Sequence, residues 1–190
     1  MKYKDDLHQV RDILLDGGII LYPTDTIWGI GCDAINEAAI QKICALKMRP
    51  AEKSFILLVD SIEMLHDYAE EVTPRVDALL RVYERPLTII YEAAQKLPPF
   101  AKAADQTVAI RVVRDEFCQD LIQLLGRPIT STSANLNQSP FPAHFGEINS
   151  DVIEGVDYVV RHRRNDRQPS QPSIIARYDK IAKELEFLRP

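Results

Sequence analysis

Cysteine is scarce in this 190-residue chain, with Cys32, Cys44 and Cys118 odd in number, far apart and each set among apolar neighbours. That spacing excludes a disulfide framework and a zinc knuckle. A reducing cytoplasm is the simple expectation. No apolar run approaches the ~20 residues that cross a bilayer. The opening residues, MKYKDDLHQV, lack the apolar stretch of a secretory signal, so a soluble protein with no membrane partner is expected. Positive charge is also in deficit: 23 Lys and Arg against 28 Asp and Glu leave a net charge of −5. This argues against a protein whose main task is coating nucleic acid, while leaving room for a local basic contact with RNA. The phosphate loop G-x-x-x-x-G-K-[ST], the dinucleotide turn G-x-G-x-x-G and the zinc helix H-E-x-x-H are all missing. His8, His66, His144 and His162 are scattered, and no Ser-His-Asp or Cys-His order presents itself. Nucleophilic catalysis has no candidate, and no protein metal site is expected. Any chemistry here should be positional and electrostatic.

What is present is an alternation of helix and strand. Leu7, Val10 and Ile13/Leu14 form one helical face behind Asp5 as a cap, closed by Gly17 and Gly18. The strand IILYP follows, and after a polar loop Asn36 caps a helix through Ala39, Ile40, Ile43 and Leu46. SFILLVD is continuous enough to be a strand covered on both faces. Thr73 and Pro74 supply cap and first turn for PRVDALLRVYE, which leads into the strand PLTIIYE. TVAIRVV, the helix EFCQDLIQLL stopped by Gly126, and PITSTSAN come next. DYVVRH, SIIARYD and LEFLR read as strands near the end. The expectation is an α/β fold, one domain over residues 1–190, with a twisted mixed sheet.

Two apolar strands run into clusters of hydroxyls. LYPTDTIWGIGCDA supplies Thr24, Asp25 and Thr26; PITSTSAN supplies Ser131, Thr132, Ser133 and Asn135. Hydroxyls and amides orient oxyanions and amino groups without adding buried charge. Ligands of open α/β sheets usually sit beyond the carboxyl ends of strands, and that is where these loops are expected. Simple Ser/Thr and Asx turns are the competing reading. A third segment, ALKMRPAEKS, crowds Lys47, Arg49 and Lys53. Lys47 and Arg49 either complement the end of a helix or grip a multiply charged anion, Arg49 in bidentate fashion. On the anion reading, their removal should cost activity and little stability. Arg111, a cation inside the apolar strand VAIRVV, either points to water or faces the same anion.

These segments, YPTDTIWGIGCDA, LKMRPAEKSFILLV, PLTII, VAIRVV and STSANLNQSP, stand in the order and approximate spacing of the YrdC family, and the chain resembles that family from about Gly17 to Arg177. Its distinctive pair is K-x-R followed by S-x-N, here Lys47-Met48-Arg49 and Ser133-Ala134-Asn135. The resemblance implies a twisted α/β sheet around a basic concave cleft. It also implies a cytoplasmic nucleotidyltransferase that joins L-threonine, bicarbonate and ATP into threonylcarbamoyl-adenylate, with Mg²⁺ as helper. That product feeds modification of the adenosine beside the tRNA anticodon by a downstream threonylcarbamoyl transferase complex, and a weak tRNA contact is compatible with it. By the same resemblance Lys47 and Arg49 are catalytic. Thr24, Thr26 and Ser133 hold threonine or its carbamate, and Lys53, Arg111, Ser131, Asn135 and Ser173 hold the nucleotide. The length matches the short form without an extra C-terminal domain.

The chain departs from the family at Tyr83–Pro86, where YERP replaces a Trp-Pro-Gly-Pro run, and at RHRRNDRQPSQPS, where a Gly-rich approach to a Ser-Thr pair leaves Ser173 as survivor. The arginines of that second segment read as a solvated loop, a lid over phosphates, or an RNA contact. Two rival functions stay open: carbamoyl-adenylate chemistry in protein maturation and a non-catalytic RNA-binding module.

Overall fold

The computed structural model describes residues 2–48, 55–70, 72–92, 94–136, 139–179 and 184–189. In chain order these form α1 (Leu7–Leu15), β1 (Ile20–Tyr22), β2 (Gly29–Gly31), α2 (Glu37–Lys47), β3 (Ile56–Val59), α3 (Ile62–Tyr68), α4 (Pro74–Val82) and β4 (Leu87–Tyr91). They continue with β5 (Val108–Val112), α5 (Glu116–Leu125), β6 (Ile129–Ser133), α6 (Ser150–Glu154), β7 (Tyr158–Val159), β8 (Ile174–Asp179) and β9 (Glu184–Arg189).

Side-chain caps set where the helices begin. Asn36 accepts from the Ala39 amide at 3.0 Å, Asp115 from Cys118 at 3.0 Å and Thr73 from Val76 at 3.4 Å, with Pro74 in the first turn of α4. Each satisfies an amide that the helix leaves without a partner. Helix α5 ends at Gly126, whose φ of 73° is one that glycine adopts without a side-chain clash. The cap of α1 is Asp6 rather than the expected Asp5. Asp5 is 5% exposed and accepts from the Tyr158 hydroxyl at 2.9 Å and the Arg161 and His162 amides at 2.8 Å. A buried carboxylate needs such donors, and these exist only because the far end of the chain returns beside α1.

The nine strands run in the order β7-β1-β2-β6-β3-β5-β4-β8-β9. The pairs β1/β7, β3/β5 and β4/β8 are parallel and the rest antiparallel, giving the expected mixed sheet. On one face Leu57, Val59, Leu87, Ile89, Val108 and Ile110 pack with Leu65 and Val76 from α3 and α4. Leu21, Ile30 and Cys32 pack with Ile40 and Ile43 of α2 and Val152 of α6. On the other face Ile20, Tyr22, Leu58 and Ile129 are covered by α1 and α5 through Val10, Leu14, Phe117 and Leu121. Gly31 is required here: a β-carbon would stand 2.7 Å from the Tyr22 ring, which crosses β2 to place its hydroxyl 3.0 Å from the Thr130 carbonyl. Helices α1 and α5 cover only part of this second face. The remainder is open, and the site lies there.

Candidate active site

A cleft of about 350 Å³ occupies the open part of the sheet. Its floor follows from strand register. Ser131 lies opposite Ile56, Ile56 beside Ala109, and Ala109 opposite Ile90, so one row across four strands points the same way, and all four residues line the cleft. Ser133 and Arg111, two residues along from Ser131 and Ala109, point the same way and line it too. The site therefore rests on a sheet face, not beyond strand ends as the sequence suggests, and Ser131 and Ser133 belong to β6 itself. Thr26, Ile27, Phe55, Phe141, Ser173 and Arg189 complete the walls. A larger groove of about 600 Å³, between α4 and the β8–β9 hairpin, is lined mainly by apolar groups such as Leu79, Val82, Leu185 and Phe187. It contains none of the expected site residues and little to orient a charged substrate.

Thr26 faces the cleft, while Thr24 stands behind it. The Thr24 hydroxyl accepts from the Thr26 amide at 3.0 Å, lies 2.9 Å from the Thr26 hydroxyl and donates to the Ile27 carbonyl at 2.9 Å. Thr24 thus fixes Thr26 and is occupied in doing so. Thr24 does not line this cleft and borders a neighbouring cavity instead. Between them Asp25 turns inward, 3.2 Å from Arg111, and its other oxygen accepts from the Arg114 amide at 3.2 Å. Arg111 is only 3% exposed, and its Nε has no hydrogen-bond partner among the described residues. A buried guanidinium with a spare donor beside a cleft is a group prepared to receive an acceptor from outside the chain.

Lys47 is 4% exposed and reaches from the last turn of α2 to the end of β6. Its ammonium donates to the carbonyls of Ser133 and Asn135. Ser133 in turn donates to the Asn135 side chain, whose amide donates to the Ser139 carbonyl at 2.5 Å. Lys47 and Asn135 therefore brace the cleft wall that carries Ser133. Asn135 borders a separate small cavity with Ser139 and Pro140. Arg49 and Lys53 lie outside the described residues.

Sequence reasoning missed Arg189. It lines the cleft and donates to the Ser173 carbonyl at 2.8 Å, while the Ser173 hydroxyl lies 2.8 Å from that of the buried Thr88. Burial, then the positive charge of Arg111, pushes the Arg189 pKa below its ordinary value. Two guanidiniums that disfavour each other share one cleft, and an anion between them would relieve both. The signal in the sequence was a cation ending the apolar run LEFLR, but only the β8–β9 pairing, with Ile175 opposite Arg189, brings it to the site. Cys32 and Cys118 offer no rival nucleophile. Burial pushes Cys32 up to about 12 and Cys118 well above the usual thiol range.

The Sua5/YciO/YrdC profile, described as telomere recombination, matches residues 12–190. The chain belongs to this family. Among similar family members, the threonylcarbamoyl-AMP synthase of Vibrio cholerae serotype O1 is 36% identical over 143 residues, covering 74% of this chain and 76% of the relative. Among solved structures, the H234A/Y235A variant of P. abyssi Sua5 superposes with a TM-score of 0.85 at 26% identity, over 97% of this chain and 56% of that one. P. abyssi Sua5 complexed with L-threonine gives 0.83 at 24% identity, over 97% and 53%, and at that identity shows the fold alone. This chain thus spans little more than half of the archaeal protein.

Among the described residues no three His, Cys, Asp or Glu side chains gather where a metal ion could be held. The arginine-rich segment, read as solvated or as a lid, is partly tied down. Arg163 donates to the Thr24 carbonyl at 2.9 Å, and Arg164 donates to the Val160 carbonyl at 2.8 Å and lies over the Phe145 ring at 5.1 Å. Like charges favour extension only when they lack acceptors, and here backbone carbonyls provide them. No described helix is long and apolar enough to cross a membrane.

Proposed function

We propose that this chain is an L-threonylcarbamoyladenylate synthase acting in the cytoplasm. The observation that carries this reading is the pairing, in one cleft, of two cations, the buried Arg111 and the more exposed Arg189, with the small hydroxyls of Thr26, Ser131, Ser133 and Ser173. The names of its relatives agree with it. The threonine amine attacks the carbon of bicarbonate or carbon dioxide, giving a carbamate. One carbamate oxygen then attacks the α-phosphorus of ATP as the bond to pyrophosphate breaks. From bicarbonate, one water is released along with threonylcarbamoyl-adenylate and pyrophosphate.

Threonine carboxylate, carbamate and triphosphate repel one another, so bringing them together is much of the barrier. Fixed guanidiniums in a partly dehydrated cleft lower it without reorganising during the reaction. Arg111 and Arg189 face that crowded charge, and Thr26, Ser131 and Ser133 orient threonine and its carbamate. Holding the reactants in line contributes several kcal/mol in well-oriented cases. Lys47 acts by holding the β6 end that presents Ser133. By the family resemblance Arg49 and Lys53 add further positive charge for the nucleotide. The cleft is basic on this reading, and Mg²⁺ enters with ATP as counter-ion to the triphosphate. The adenylate passes to a threonylcarbamoyl transferase that modifies tRNA.

Incubation with ATP, Mg²⁺, bicarbonate and L-threonine, followed by mass spectrometry, tests the proposal. Threonylcarbamoyl-adenylate should form, and ATP consumption should require both threonine and bicarbonate. ATP turnover indifferent to either co-substrate would overturn the assignment.

A further inference from the structure

Arg163 stands outside the 350 Å³ cleft, yet it is bonded to the loop that supplies Thr26. Its Nη2 lies 2.9 Å from the Thr24 carbonyl and 2.9 Å from a carboxylate oxygen of Asp115. The other oxygen of Asp115 caps α5 through the Cys118 amide. One nitrogen thus joins the β1–β2 loop to the start of a helix packed in the core. Arg163 also has a φ of 59°, in the left-handed region that a bulky side chain enters only when its surroundings hold it there. The holding contacts are visible. Asp5, buried against the body of the protein, accepts the amides of Arg161 and His162 and fixes the turn from which Arg163 reaches inward.

The loop needs such an anchor. A cavity of about 200 Å³ lies between Thr24, Asp25 and Trp28 on one side and His144, Asp166 and Arg163 on the other, so packing alone does not fill the space behind the loop. Thr24 is gripped at its carbonyl by Arg163 and at its hydroxyl by Thr26. A shift of the Thr24 backbone therefore displaces the Thr26 hydroxyl in the cleft. We propose that Arg163 is a positioning residue that sets the Thr26 hydroxyl for the amino-acid substrate, through the Thr24 carbonyl and the cap of α5. The inference rests on the synthase reading above. It differs from a phosphate-gripping lid, because Nη2 is already committed to two acceptors of the protein, although the buried Nε has no partner among the described residues.

The test uses Arg163→Ala and Arg163→Gly of the full chain, with exposed Arg161→Ala as a control that keeps wild-type kinetics. Alanine retains the strained backbone, whereas glycine accepts a positive φ at no steric cost and keeps the turn intact if alanine does not fold. In both, the apparent KM for L-threonine should rise several-fold while the KM for ATP stays near wild type. Added guanidinium ion should restore part of the threonine response, which a general loss of stability would not allow. Unchanged threonine KM in Arg163→Gly, or a rise confined to ATP, would overturn the inference. Wild-type protein that makes no adduct in the same assay would sink the synthase reading and this inference together.

Discussion

The ammonium of Lys47 lies 2.5 Å from the carbonyl oxygen of Asn135 and also donates to the carbonyl of Ser133, joining the last turn of α2 to the end of β6. A cation that sequence alone offers as a surface ligand or a helix-end charge is a buried cross-link between two elements. Its energetic role follows from that position.

Replacing Lys47 by Met keeps much of the packing volume and removes the donor. Leaving a buried carbonyl without a partner costs about 1–3 kcal/mol, and these two are partly buried, so the lower part of that range applies. Lys47→Met is therefore expected to lower thermal stability clearly and to lose most activity as the Ser133 wall shifts. This replaces the expectation of an activity loss at unchanged stability. A thermal melt beside the adenylate assay checks it, and a fully active variant with a wild-type melting temperature would contradict the cross-link.

Arg111 and Asp25 form a pair 3.2 Å apart with side chains 3% and 9% exposed. Removing one member of a buried pair strands the other and typically costs about 3–5 kcal/mol. Arg111→Met should be severely destabilised, and adding Asp25→Asn should recover part of the loss because no lone carboxylate remains buried. Chemical denaturation of both single variants and the double variant gives the coupling directly. Strictly additive losses would show that the pair does not act as one unit. Activity should be absent in all three, since the guanidinium facing the cleft or the loop beside it is altered.

The fold was legible wherever local chemistry decided it. EFCQDLIQLL is α5 to the residue, and Asn36, Thr73 and Gly126 stand at the caps their types suggest. Strand β2 was hidden because Gly29 and Gly31 carry no hydrophobic alternation; their value is the space they leave for Tyr22 and Ser131. Helices α3 and α6 went unnoticed for a related reason: seven and five residues are too few for a clear helical period. At the site, the hydroxyl clusters and Arg111 were readable as polar interruptions of apolar strands. Their division of labour was not. Whether Thr24 faces substrate or supports Thr26, and whether Arg189 joins the cleft, depends on pairings across the sheet that no local pattern encodes.

His162 gives a pH-dependent prediction. Its ring stacks on Phe117 with centroids 5.4 Å apart and an interplanar angle of 16°, and meets Tyr3 edge-on at 5.2 Å. Burial first, then Arg163 and more weakly Lys4, lowers its pKa below 6.5, while Asp115 and Asp5 oppose the shift. The folded protein therefore holds this proton less tightly than the unfolded chain. Between the lowered pKa and 6.5 the unfolded state binds more protons, so stability rises with pH through that window and falls as the solution is acidified. Phenylalanine preserves a flat aromatic ring and cannot be protonated. In His162→Phe, melting temperature should depend less on pH as the solution is acidified below 6.5 than in wild type, with little difference between the two proteins near pH 7. Melting curves across that range decide the matter: parallel profiles for the two proteins would show that His162 does not govern the acid response.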